Sequence, residues 1–182
     1  MSDKKNSKNK KLVALLAGLK GKDQKKQLES VKALRVHGNE TVIAPMLDLH
    51  MSTDSEAIKR EIEDILNTAK SATVPGEIVR LLGQKEYVPL RHMLLISIWS
   101  SGLDYRDHLK EIIEASIQGE MMEALECITI IENLDGDLSE EQLFEPILVL
   151  KEYLVANKDE QSPRIEMLKE ILVFLQARND NA

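Results

Sequence analysis

The feature that most constrains this chain is an apolar period of 3.6 residues that runs almost unbroken from residue 10 to residue 178. Apolar side chains recurring at i, i+3, i+4 and i+7 share one face of a helix and cannot share one face of a strand. Gly21, Gly38, Gly83, Gly102, Gly119 and Gly136 punctuate the period, and a glycine just past a helix end is a common stop signal. The spacing predicts ten helices, over 10–20, 23–36, 39–51, 54–70, 74–83, 87–101, 104–118, 120–134, 138–157 and 162–178. No stretch alternates with period 2 between turn signals, so no strand is expected. The fold class read from the sequence is all-α. Aromatics at 3%, eight glycines and five prolines agree, because sandwiches and barrels need many more turns.

Helix starts carry capping chemistry. Thr53–Glu56 and Asp137–Glu140 have the spacing of a capping box. Asn39 and Asp104 are expected to cap in the same way. Ser162-Pro163 sets a cap before a proline at the first helical position. Residues 1–9 have no apolar period and are expected to form a disordered basic tail, with 10–182 as a single domain.

The helices fall into pairs. First helices of successive pairs begin near Asp23, Asp54, Tyr87 and Glu120, and a period of this length signals stacked helical hairpins. One hairpin cannot bury its own apolar stripe, but neighbours in a stack can. Helix 162–178, with Glu166, Lys169, Glu170 and Arg178 among its apolar residues, is expected to cap the stack with a polar face.

The first repeat carries a recognisable pattern. Leu15-Leu16-Ala17-Gly18-Leu19-Lys20-Gly21-Lys22-Asp23 leads into Leu28, Val31, Ala33, Leu34 and Gly38, and Val42-Ile43-Ala44-Pro45-Met46-Leu47-Asp48-Leu49 follows. This resembles the HEAT repeat, and Leu143-Phe144-Glu145-Pro146-Ile147-Leu148 echoes its second helix. The turn-opening Asp is matched by Asp23 and Asp54 but is missing from the third and fourth repeats, and Gln27 stands where the first helix usually carries Arg. The resemblance covers about residues 12–178. It implies an α-α superhelix of about four repeats plus capping helices, with second helices lining a concave face. It also implies protein binding as the commonest role, with a minority of enzymes such as the HEAT-like alkylpurine DNA glycosylases.

Charge is divided along the chain. Residues 1–26 hold nine lysines against Asp3 and Asp23, a formal +7. The whole chain carries -7, so the remainder carries -14. An acidic body repels a phosphate backbone, whose protein contacts are chiefly Lys and Arg. Nucleic acid or a ribosome is therefore an alternative partner only through the Lys-rich N-terminus. The apolar run Leu12–Leu19 is followed at once by Lys20 and Lys22, with no small-residue cleavage site, so it reads as a first helix and not a signal peptide. No run approaches the ~20 apolar residues of a membrane span. A single cysteine excludes an intrachain disulfide and suits the cytoplasm.

Chemistry-bearing motifs do not emerge. The four histidines include no i, i+4 pair and no His-Glu-x-x-His. Asp107, His108 and Glu111 read as a solvated face, with Lys110 expected to pair with Asp107 and Glu114. Calcium-loop spacing fails at Asn133 and at Asp135, where the sixth and twelfth positions are Leu138 and Phe144, or Glu140 and Pro146. Cys127, among Ala124, Leu125, Ile128 and Ile131, is expected to be a buried thiol, and Trp99 a core residue. Glu61, Glu63 and Asp64 are expected on an outer, solvated face. No enzyme activity, cofactor or metal is therefore expected.

A binding surface is expected on the exposed positions of the second helices. These are Asp48 and Met51, then Glu77 and Arg80, then His108, Glu111 and Glu114, and finally Glu141, Glu145 and Lys151. Val42, Met46, Leu49, Ile78, Ile112, Phe144, Leu148 and Leu150 are among the positions taken as inward-facing. Such a surface is mostly acidic and suits a partner protein or peptide with a basic surface.

Overall fold

The computed structural model describes residues 2–179. It holds ten α-helices and, among the described residues, no strand: α1 (Ser2–Leu19), α2 (Gln24–His37), α3 (Ile43–Ser52), α4 (Glu56–Asn67), α5 (Val74–Leu82), α6 (Arg91–Ser101), α7 (Leu109–Gln118), α8 (Met121–Asn133), α9 (Glu140–Ala156) and α10 (Pro163–Asn179). Short 3-10 turns, Glu40–Val42, Lys85–Leu90 and Arg106–His108, lead into α3, α6 and α7. The sequence counted these turns as parts of the helices, because a 3-10 turn keeps nearly the same apolar spacing.

The helices form two layers. Helices α2, α4, α6, α8 and α10 pack in succession in one, while α3, α5, α7 and α9 follow one another in the other. Helix α1 packs on α2 and α3 at one end, and α9 and α10 pair at the other. One apolar core runs between the layers from Leu19 to Leu175. Helix α4 shows how the sequence builds it. Ile58, Ile62 and Leu66 recur on one face and are buried, each contributing roughly 1.5–3 kcal/mol of burial.

Helix ends follow side-chain chemistry with some shifts of register. Asp23 accepts from the backbone N–H of Lys25 and Lys26, and Asn39 from that of Thr41. The capping box expected at Asp137–Glu140 is made instead by Ser139 and Gln142, since Ser139 has the extended backbone of an N-cap. Another box, Glu120 with Glu123, opens α8. The box expected at Thr53–Glu56 does not form. Ser55 is the N-cap of α4 and makes no side-chain cap bond, while Thr53 Oγ1 accepts from the Ser55 N–H.

Gly102 and Gly18 are each required by geometry, for different reasons. Gly102 ends α6 with φ +63°, in the left-handed region. Gly18 lies where α1 crosses α2, and a Cβ there would fall 2.1 Å from Ser30 Oγ.

Two sequence expectations need correction here. Helix α1 begins at Ser2, so the segment 1–9, expected to be a disordered tail, is helical from Ser2 onward. No proline or glycine interrupts the chain before Gly18, and a helix nucleated by packed Leu12, Leu15, Leu16 and Leu19 propagates at little cost through lysines. Phe144 and Leu148, expected to face inward, are 65% and 42% exposed. Leu150, also expected to face inward, is buried, and its companions in the buried stripe of α9 are Leu143 and Pro146. Residues 180–182 lie outside the described residues.

Candidate docking surface

The ten residues singled out from the sequence all fall on the layer formed by α3, α5, α7 and α9 or on the turn that leads into it. The structure sorts them into separate groups.

The first group lies on α3 and α5. Asp48 is exposed on α3 but already engaged, because the Tyr87 hydroxyl donates to its Oδ1 at 2.9 Å. Burial first, and then this bond, push the Tyr87 hydroxyl up to about 12, so it stays a donor. Arg80 donates from Nε and Nη2 to both carboxylate oxygens of Glu77, at 2.7 Å each, a bidentate fork one helical turn long. Met51 is exposed near the end of α3.

The second group surrounds the seam between α7 and α9. An open groove of about 890 Å³ is lined there by Arg106, Asp107, Lys110, Glu141, Gln142, Phe144, Glu145 and Pro146, among others. Lys110 Nζ pairs with Glu145 across the seam at 2.8 Å. Gln142 Nε2 donates to Asp107 Oδ1 at 2.6 Å. Lys110 is thus matched across helices, and not with Asp107 and Glu114 along its own helix. The hydrogen bond and charge of Glu145 raise the Lys110 pKa, and Glu114 and Glu111 add to this through charge alone. Arg106 is withdrawn from the groove's balance by Asp104, which it contacts at 2.7 Å through Nη2. That contact, with the Arg106 backbone N–H, holds the Asp104 carboxyl down at about 2. His108 is half-buried beside the Tyr105 ring, edge to face with centroids 6.4 Å apart.

The wall of this groove has further features. Pro146 sits inside α9 and has no N–H to give to the Gln142 carbonyl. Phe144 brings an exposed ring to the rim. Lys151 does not belong to the group. It is exposed two turns beyond Phe144 on the same helix, outside the groove lining.

Several polar roles escaped the sequence reading. Trp99, expected in the core, is 38% exposed and donates its indole N–H to Glu126 at 2.8 Å. His92 meets the other Glu126 oxygen at 3.1 Å. Arg178, expected on a polar outer face, instead reaches the carbonyls of Ile131 at 3.0 Å and Leu134 at 3.2 Å at the end of α8. Arg164 does the same for Ile117 at 2.7 Å and also donates to the Tyr153 hydroxyl. Glu61 and Asp64, expected to be solvated, both accept from Arg35. No sequence signal marks these pairs, whose members lie 11 to 47 residues apart. Cys127 is fully buried, which pushes its thiol up to about 12, far from a reactive thiolate.

Among the described residues no group of three or more His, Cys, Asp or Glu side chains is placed to hold a metal ion, and no helix is long and apolar enough to cross a membrane. No family model matches the chain, and neither a curated protein nor a solved structure matches it.

Proposed function

We propose that this chain is a HEAT-repeat-like interaction module that works without bond chemistry, docking a basic protein segment on the layer of α3, α5, α7 and α9. What carries the reading is the groove between α7 and α9. Asp107, Glu141 and Glu145 line it and Glu111 and Glu114 add their charge at Lys110, while Lys110 is spent on Glu145 and Arg106 on Asp104. A cationic side chain entering the groove meets carboxylates that the chain's own cations leave in excess. The exposed ring of Phe144 at the rim supplies an apolar anchor, the residue type that carries much of the energy in protein interfaces.

The test uses a defined probe, an amphipathic Lys/Leu peptide of about 18 residues, long enough to cross the domain as a helix. The triple variant Glu111→Lys, Glu114→Lys, Glu141→Lys is expected to weaken its binding at least ~10-fold, the effect of losing roughly 1.4 kcal/mol, with the unfolding midpoint unchanged. The control carries the same charge change on the other layer, Glu56→Lys, Glu132→Lys and Glu170→Lys, and is expected to bind nearly as the native chain does. Equal weakening in both triples would reduce the effect to net charge and overturn the reading.

A further inference from the structure

Helix α9 has two apolar stripes. Leu143, Pro146 and Leu150 are buried against the rest of the fold. Phe144, Leu148 and Val155 are 65%, 42% and 73% exposed. Steps of four and seven residues set these three on one face, with Lys151 between Leu148 and Val155. Helix α9 packs on α7 and on α10, so this face lies at the end of the stack. A terminal helix in a repeat stack ordinarily turns a polar face outward. Helix α10 does so with Glu166, Lys169 and Glu170 around Val173, whereas α9 does not.

The opposite end of the molecule offers the complement. Helix α1 packs on α2 and α3. Its buried side uses Leu12, Leu15, Leu16 and Leu19. Its other side exposes Lys10, Val13, Ala14 and Ala17, again at helical spacing. Val13 is 61% exposed. The two alanines permit close approach of a second helix. The chain's first 26 residues carry +7, while α9 holds Glu140, Glu141, Glu145 and Glu152 against Lys151. Helix α1 sits on the α2–α3 end of its own chain and cannot cover its own α9, which sits beyond α7.

We infer that α9 of one copy receives α1 of a second copy, so that the chain assembles head to tail. Phe144, Leu148 and Val155 pack against Val13, Ala14 and Ala17, and the α9 glutamates face the lysines of α1. Docking α1 beyond α9 continues the two-layer stack from copy to copy. The contact is heterologous, because different surfaces meet, so it propagates and does not close as a two-fold dimer. This goes beyond the groove reading and is read from self-association alone, without the peptide probe.

The experiment is sedimentation velocity of the full chain from about 1 µM to about 500 µM, a range that brackets contacts of modest affinity. The expected sedimentation coefficient rises with concentration past that of a dimer, and salt at about 0.5 M lowers it by screening. A tail variant, Phe144→Ser with Leu148→Ser, and a head variant, Lys10→Glu with Val13→Glu, change only exposed positions. Each is expected to remain monomeric by itself. Mixed, they are expected to form a one-to-one dimer and nothing larger, since one intact head meets one intact tail. A native chain that stays monomeric at every concentration overturns the inference. So does a tail variant that loses assembly while the head variant keeps it, which would mean that α9 meets α9. Circular dichroism of both variants at native helicity separates a lost contact from a lost fold.

Discussion

The two layers treat their seams differently. Between α2 and α4, Arg35 ties Glu61 and Asp64 together. Between α6 and α8, Glu126 accepts from both His92 and Trp99. Between α8 and α10, Arg178 covers the carbonyls that end α8. These seams are closed, each donor matched by an acceptor from the neighbouring helix. The α7–α9 seam is open. Lys110–Glu145 and Gln142–Asp107 bridge it, and the groove still keeps more carboxylates than cations. Charge totals therefore say little about which acidic residues are available to a partner. Cross-helix geometry decides that, even where the individual exposed pairs add little stability.

Three substitutions test this difference, in order of expected effect. Arg178→Met keeps the length of the side chain and removes its donors, leaving carbonyls at the end of α8 unpaired. It is expected to cost roughly 2 kcal/mol in urea unfolding, with Arg178→Lys recovering only part of the loss because an ammonium lacks the planar fork. A loss under about 0.5 kcal/mol, the level of an ordinary surface change, would show that this seam is closed by packing alone. Glu126→Gln removes the charge behind two hydrogen bonds and is expected to cost about 1 kcal/mol. Its partner signal is the Trp99 indole proton, which should shift in the NMR spectrum as the acceptor weakens. Glu111→Gln, at the open seam, is expected to stay within about 0.5 kcal/mol of the native chain. If it destabilised the fold as much as Glu126→Gln, the contrast between open and closed seams would disappear.

The backbone plan was readable because a helix repeats every 3.6 residues and its apolar face announces itself locally. Helix α4 is clear from Ile58, Ile62 and Leu66, and the start of α10 from Ser162-Pro163. Helix α9 was misread because it carries apolar residues on two faces. Leu143, Phe144, Ile147, Leu148 and Leu150 all sit in one run, and the sequence does not say which stripe is covered. The same limit hid Trp99 and Arg178. A tryptophan in an apolar run looks like core, and an arginine near a helix end looks like surface, until the partner from another helix is in place.

By itself, then, the sequence determined an all-α fold and a basic head on an acidic body. Local periodicity and composition suffice for that. Only the tertiary structure decided which carboxylates are spent on Arg35, Lys110 or Tyr87 and which remain at the groove, and which stripe of α9 faces solvent. Those outcomes depend on contacts between residues far apart in the chain, and no local pattern encodes the distance between two helices.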